Sequence, residues 1–359
     1  MNKLKAIPAA APVHYVVWES IPGGMESYIP YYNNRFNSER EVYVYSLRPA
    51  GNLLNISPGD HFKQGSASNW QCYLMYFRYC RANRKNLFHI MNSGPFVLFV
   101  TLMAGVRHIV YHIHGTKHWK AGWGKIPLKL AWAIVRFFPV HYIANSKHSG
   151  RVFHEEVMPV EPQVIYNGFE LTRFTEKRWL RAKFRRMAYI GRFDRGKNAH
   201  LVIRLFEEIA GSMPELELHL AGSGDLNRAI EEQVRMSPFA DRITLYGWVK
   251  DPAAFCQAAD LFVFLSDHES FGNVIAEALL TGLPVLTSDV PVFKEIYGDE
   301  KIFNLGNPHD YPTLLSNFRK AIEDYPALAQ KAFEASERLS SLFDMETHLK
   351  KIERFYETV

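Results

Sequence analysis

Short apolar runs alternate with longer stretches of helical apolar spacing along most of the chain. In the first half the runs are residues 13–18, 41–47, 87–91, 108–114, 141–145 and 164–166, and helical spacing falls near 25–36, 70–84, 95–104, 125–138 and 147–157. Strands alternating with helices at this spacing predict βαβ units and a parallel sheet. A charged, weakly apolar stretch at 172–186 breaks the alternation. It restarts with strand runs at 187–190, 216–221, 243–246, 261–266, 284–287 and 301–304, and helices near 198–212, 225–235, 252–259, 273–281, 311–324, 326–340 and 345–357. The simplest account is an α/β chain of two doubly wound parallel-sheet domains, 1–171 and 172–344, with a last helix at 345–359 returning to the first. The cleft between two such domains is the default ligand site.

The most informative stretch is Glu269-Ser-Phe-Gly272-Asn-Val-Ile-Ala-Glu277-Ala-Leu-Leu-Thr-Gly282-Leu-Pro-Val285-Leu286, between two strand runs. Apolar and small residues at Val274, Ile275, Ala278 and Leu279 have helical spacing, so Glu269 and Gly272 fall where a strand ends and a helix begins. Ligands of open α/β sheets bind at that edge. Amides near Gly272 and Asn273 offer an anion site, and Glu269 and Glu277 flank it as acceptors for hydroxyl protons. A sugar on each side of a phosphate fits this pattern, as in a nucleotide-sugar. An ordinary βαβ unit with surface glutamates is the alternative.

Other segments carry weaker signals. Gly23-Gly24 follows the first strand and is either a tight turn or a loop that lets backbone approach a ligand; it is not GxGxxG. Arg192 and Lys197 bracket a strand end and a helix start, placed for a diphosphate or as solvated cations beside Asp194. Ala221-Gly-Ser-Gly-Asp225 reads as a turn with Asp225 as helix N-cap. Gly247-Trp248 either lines a base pocket or places a Trp in the core. His108, His112 and His114 share one face of a strand, with His118 following, and the favoured reading is one polar group, His114, entering the cleft rather than a metal site.

Composition narrows the class. A chain of 359 residues, 47% hydrophobic and 22% charged, has core enough for two soluble domains. Cys72, Cys80 and Cys256 lack CxxC spacing, which fits a reducing, cytoplasmic compartment. Residues 1–12 read as a short tail rather than a signal peptide, and the apolar run 96–106 is too short to span a bilayer. Charge is uneven: residues 1–170 hold 18 Lys/Arg against 9 Asp/Glu, whereas 171–359 hold 24 against 28. No Asp or Glu occurs between Asp60 and Glu155, a gap with 13 Lys/Arg, so the first half is expected to face an anionic surface or ligand. Nucleic acid is disfavoured, since no nucleic-acid module pattern appears. Segment 124–138 mixes cations with bulky apolar residues; it is either a helix covering the sheet or a basic amphipathic helix at a membrane, with Trp119, Lys120, Trp123 and Lys125 as an exposed flank.

Together these pieces resemble the GT-B glycosyltransferases of retaining family 4. Gly191-Arg192…Lys197 is similar to the family's GR…K element, and Glu269…Glu277 with Gly282-Leu-Pro-Val285 is similar to its E-x7-E signature and following G-x-P-V. Ile165-Tyr-Asn167-Gly168-Phe169 resembles the family's crossover into the second domain, and Gly23-Gly24, His114-Gly115 and Asn145-Ser146 occur in the expected order. The resemblance implies two Rossmann-like domains facing across a cleft. It also implies that a UDP- or GDP-sugar donates a hexose-type sugar to a glycan or lipid-pyrophosphate acceptor, with retention and without a metal or other cofactor. It assigns Arg192 and Lys197 to the diphosphate and Glu277 to the ribose. Glu269, with the amides of Phe271, Gly272 and Asn273, would hold the sugar. Gly23-Gly24 would close on the phosphates, Gly247 and Trp248 would lie by the base, and His114 beside the sugar and acceptor. Catalysis is thereby expected from Glu269, His114, Arg192 and Lys197. The implied setting is bacterial surface-polysaccharide synthesis at the inner membrane face. A nucleotide-sugar epimerase and a non-catalytic nucleotide-sugar-binding protein are the rival expectations. Segment 288–295 departs from the family pattern in lacking a Gly-Gly before Glu295, whose role is left open.

Overall fold

A computed structural model of the chain describes residues 11–19, 28–37, 40–49, 61–118, 125–174, 184–298 and 303–359. The chain divides into two compact units, one of residues 1–166 with 346–359 and the other of residues 167–345.

In the first unit, β1 (Val13–Glu19), β2 (Val42–Arg48), β3 (Phe62–Gln64), β4 (Leu87–Met91), β5 (His108–Ile113), β6 (His141–Ala144) and β7 (Gln163–Val164) form a parallel sheet in the order β3-β2-β1-β4-β5-β6-β7. Successive side chains of a strand turn to opposite faces, and both faces here are covered. Val16, Phe88, Ile90, Ile109, Tyr111 and Ile113 meet α2 (Asn69–Ala82), α3 (Pro95–Met103), α4 (Lys125–Val135) and α5 (Lys147–Glu156) through Tyr76, Val97, Leu98, Trp132, Val135 and Phe153. Tyr15 turns the other way and stacks on Tyr32 of α1 (Ile29–Phe36), while Phe36 packs against Tyr356 of the terminal helix, α13 (Met345–Tyr356). Near-continuous apolar strands are what a sheet buried on both faces requires.

The second unit is a five-stranded parallel sheet of β8 (Arg186–Ile190), β9 (Glu217–Ala221), β10 (Ile243–Gly247), β11 (Leu261–Phe264) and β12 (Val285–Thr287), in the order β10-β9-β8-β11-β12. Its helices are α6 (Ala199–Ala210), α7 (Asn227–Met236), α8 (Pro252–Gln257), α9 (Asn273–Leu280), α10 (Pro291–Tyr297), α11 (Tyr311–Glu323) and α12 (Tyr325–Leu342). α9 packs against α8 and α12 and follows β11, so its start is fixed at the C-terminal edge of the sheet. Each unit is thus a doubly wound α/β domain.

Two short elements escape the sequence pattern. β3 is three half-exposed residues at the sheet edge, too short to show a period. α10 opens on Pro291, which pre-sets the first helical turn, and its seven residues are too few for a clear stripe. Of the strand expected at 301–304, the first two residues lie outside the described ones, and Asn304 makes an isolated bridge to Thr287.

Candidate active site

The strand order of the second sheet reverses between β8 and β11, whose chains leave the C-terminal edge in opposite directions and open a crevice. Both exits carry the residues singled out from the sequence. After β8 comes Arg192 and then a 3-10 turn, Arg195–Lys197; after β11 come Ser266 to Glu269. The two exits are stitched together. Asp267 N–H donates to the Gly196 carbonyl at 2.9 Å, and Asn198 Nδ2 donates to the Leu265 carbonyl at 2.9 Å and to Asp267 Oδ1 at 2.6 Å. Asn198 is buried and sits in the left-handed region at φ 51°, a conformation that Asn adopts more readily than most residues. It stops the 3-10 turn and starts α6, so Lys197 is delivered to a fixed place.

Lys197 Nζ there meets Glu269 Oε1, and both side chains are mostly buried, at 15% and 14% exposed. The Phe264 ring lies 5.5 Å from the same ammonium. The structure therefore joins the lysine assigned to the diphosphate with the glutamate assigned to the sugar. Arg192 behaves differently: it is 77% exposed and pairs with Asp194 at 2.9 Å, while Asp194 caps the 3-10 turn through the Gly196 amide. Three residues after Glu269, α9 starts at Gly272, an N-cap residue with no side chain of its own to cap the helix. Gly272 at that start has φ 92°, and a Cβ there would lie 3.0 Å from the Phe293 ring, so the turn is built for glycine. A helix start carries partial positive charge, and here it follows three residues after the partner of a lysine.

The neighbouring side chains sort themselves by burial. Phe271 is buried against Phe169 and Phe343, so only its backbone remains for a ligand role. The Asn273 amide oxygen accepts from Asn167 Nδ2 at 2.7 Å, which ties the α9 start to the crossover segment. Glu277 lies a turn inside α9 and is partly buried; desolvation, helped by the Asp251 charge and opposed by Arg173, pushes its carboxyl up to about 7. Arg173 is held by Asp251 at 2.7 Å. Trp248 is largely exposed rather than in the core, and Gly247 turns at φ 64° with its carbonyl accepting from the Gly222 amide at 2.7 Å.

A profile of the family described as Glycosyl transferases group 1 matches residues 173–338. The second unit belongs to this family. Over 164 residues the chain is 32% identical to the GDP-mannose:cellobiosyl-diphosphopolyprenol alpha-mannosyltransferase of Xanthomonas campestris, covering 42% of this chain and 40% of that protein. Over 173 residues it is 24% identical to the N-acetylgalactosamine-N,N'-diacetylbacillosaminyl-diphospho-undecaprenol 4-alpha-N-acetylgalactosaminyltransferase of Campylobacter jejuni, covering 47% of this chain and 46% of that protein. The chain spans less than half the length of these relatives. Among solved structures, Anabaena Alr3699/HepE in complex with UDP and glucose matches with a TM-score of 0.79 at 19% identity, covering 97% of this chain and 100% of that one. Sucrose-phosphate synthase from Thermosynechococcus elongatus matches with 0.78 at 20% identity, covering 97% of this chain and 98% of that one. At such identities the likeness is one of fold, and the fold is GT-B.

Within the group 1 domain, sequence reasoning overlooked Asn198 and the Arg173–Asp251 pair, each of which holds a motif residue or its neighbour in place, whereas the pairing of Arg192 with Asp194 was one of its two readings. An isolated Asn just before a helical stripe was the available signal for the first. In the other unit, Gly23 and Gly24 lie outside the described residues. His114 follows β5, its backbone amide facing Asn92 Oδ1 at 3.4 Å and its ring tilted against that of His112, 3.9 Å centroid to centroid. Burial, with His348 adding to it, lowers the His114 imidazole to about 3, so it is neutral at physiological pH. A row of buried neutral groups backs it: His112 Nδ1 pairs with His89 Nε2 at 3.1 Å, and His89 Nδ1 with the Tyr356 hydroxyl at 2.6 Å. His89 and His112 hydrogen-bond to each other while the His114 Nδ1 faces Asn145 Nδ2, and among the described residues no three His, Cys, Asp or Glu side chains are grouped to hold a metal.

Proposed function

We propose that the protein is a retaining glycosyltransferase of the family 4 type. It moves a hexose-type sugar from a UDP- or GDP-sugar to a glycan or lipid-pyrophosphate acceptor, in the cytoplasm at the inner membrane face, and it uses no metal. The observation that carries this reading is the meeting of Lys197 and Glu269 at the sheet's switch point, three residues before the start of α9. Cleavage of the donor leaves new negative charge on a nucleoside diphosphate. Lys197, Arg192 and the α9 amides answer that charge, and loss of one such donor typically costs about 3 kcal/mol of transition-state stabilisation. In this reading the incoming diphosphate takes Lys197 and frees Glu269 to accept hydroxyl protons from the sugar. Glu277 takes the ribose hydroxyls in its ionised form. A neutral His114 donates or accepts one hydrogen bond at the sugar, a role for which its depressed basicity suits it better than that of a general acid. The activities that name two relatives, both on diphosphopolyprenol- or diphospho-undecaprenol-linked sugars, support the lipid-linked acceptor.

The test is turnover of UDP- and GDP-sugars with a panel of lipid-pyrophosphate acceptors, in the wild type and in Lys197→Ala and Glu277→Ala. The reading expects transfer with retained anomeric configuration in the wild type and a fall of at least tenfold in both variants. Near-normal rates in both would overturn it.

A further inference from the structure

The outer surface of the α2–α5 layer does not look like the outside of a soluble domain. α4 buries Ala131, Trp132 and Val135 against the sheet, as a covering helix should. Its opposite side is apolar as well: Ile126, Leu130, Ile134 and Phe137 follow one another at helical spacing, and Leu130 and Phe137 are 63% and 81% exposed. A helix with large apolar residues on both sides is ordinarily covered on both. Among the described residues only the inner side of α4 is covered, and exposed Lys129 stands among the outer apolar residues. α3 packs between α4 and α2 and exposes Met103, and α2 adds Trp70, 79% exposed, with Leu74 and Met75. The far end of α2 turns cationic, with exposed Arg78 and Arg81, and the Arg81 guanidinium reaches to within 3.5 Å of where a Cβ on Gly105 would stand, next to the end of α3.

We propose that this face docks on an anionic lipid bilayer, with the outer stripe of α4 and the start of α2 entering the interface and the arginines meeting lipid headgroups. The proposal deepens the reading of a lipid-linked acceptor by naming the surface that brings the enzyme to it. Charge selects the occupant. The helices α2, α3 and α4 all lie within the stretch from Asp60 to Glu155 that contains no acidic residue. A second copy apposed through the same face would set cations against cations, and an isologous interface gains nothing from that. An anionic membrane offers negative charge at its surface and an apolar layer just beneath it, the same order in which α2 and α4 present theirs. At 11 residues α4 is about 16 Å long, and among the described residues no helix is long and apolar enough to cross a membrane. The contact is therefore one that lies in the interface plane.

The experiment is flotation of the full chain with vesicles of phosphatidylcholine containing phosphatidylglycerol, with pure phosphatidylcholine as the comparison. Three proteins are compared: the wild type, Leu130→Glu/Phe137→Glu and Arg78→Gln/Arg81→Gln. Nucleotide-dependent thermal shift confirms that each variant is folded. The wild type should float with the anionic vesicles, much less with the neutral ones, and less as salt rises. Leu130→Glu/Phe137→Glu should lower the partition coefficient by on the order of 100-fold, and Arg78→Gln/Arg81→Gln by roughly 25-fold, about fivefold per arginine. No flotation at low salt, or equal flotation of all three proteins, would overturn the proposal. So would a concentration-dependent dimer in sedimentation that Leu130→Glu/Phe137→Glu abolishes while vesicles leave the wild type untouched. Flotation and thermal shift fail independently: a protein that responds to nucleotide but ignores vesicles sinks only the docking surface, and one that floats but ignores nucleotide sinks only the donor reading.

Discussion

The two sheets share a strand order about their switch points, yet their C-terminal edges are opposite in chemistry. In the second unit the edge holds charge: Lys197 against Glu269, Arg192 against Asp194, and the positive end of α9. In the first unit the edge holds neutral polar groups: His114 over His112, His89 and Tyr356. On the proposed function, the same topology gives one edge to a diphosphate and the other to hydroxyls. The difference is carried by about ten side chains and not by the fold, as is usual when function is grafted onto a common architecture.

Acid should separate the two edges most strongly. His89 and His114 are lowered to about 3 by burial, so between the ordinary histidine value of 6.5 and about 3 the unfolded chain binds more protons than the folded one. Stability is then lost as pH falls through 6.5, on the order of 2 kcal/mol per histidine by pH 5. Glu277 has the reverse sign: raised to about 7, it favours the folded state at low pH and loses that contribution as pH rises from its ordinary value of 4.5 to 7. Hydrogen exchange at pH 5 should therefore show the amides of β4 and β5 losing protection relative to pH 7, with β8 and β11 holding theirs. Equal loss in both sheets would erase the contrast.

Lys197→Met comes next, with kcat for sugar transfer falling by roughly 100- to 1,000-fold in steady-state kinetics. It also leaves Glu269 partly buried without its partner, so Lys197→Met/Glu269→Gln should recover thermal stability without recovering rate. Asn198→Ala should lower stability by about 2 kcal/mol in denaturant unfolding, because two hydrogen bonds are lost and the left-handed backbone is kept. Asn198→Gly, which relieves the backbone but not the hydrogen bonds, should cost less. Glu277 sharpens the ribose assignment. If its carboxylate accepts the hydroxyls, nucleotide affinity measured by calorimetry should be about tenfold weaker at pH 6 than at pH 8, and Glu277→Gln should flatten that dependence. The smallest effect is expected at exposed Arg192, where Arg192→Gln should weaken nucleotide binding by about fivefold and leave the melting temperature nearly unchanged.

Much of the charged edge was legible in the sequence, because its parts are local. A glycine and three cations fall within eight residues between a strand run and a helical stripe at Gly191–Asn198, and a glycine with two glutamates lies between a strand run and a helical stripe at Glu269–Glu277. What the sequence pattern did not disclose depends on distance or on direction. Tyr356 and His89 stand 267 residues apart and meet only through the terminal helix. The pairing of Lys197 with Glu269 spans 72 residues, so two residues expected at separate parts of a ligand turn out to be partners without it. Phe271 sits inside a signature motif, yet its side chain belongs to the core, since position in a motif does not fix which way a ring turns. On α4 the apolar residues and lysines were visible, and two readings stood open, because large apolar residues on both sides leave no single stripe to say which face meets the sheet. Gly23-Gly24 and the Trp119, Lys120 and Trp123 flank lie outside the described residues.

The most direct test of the charged edge is the position of the diphosphate in a crystal of the protein soaked with UDP or GDP. The account predicts phosphate oxygens on the first amides of α9 and on Lys197 Nζ, with Glu269 released from the lysine. A diphosphate bound away from the β8–β11 exits, with Lys197 still paired to Glu269, would contradict it.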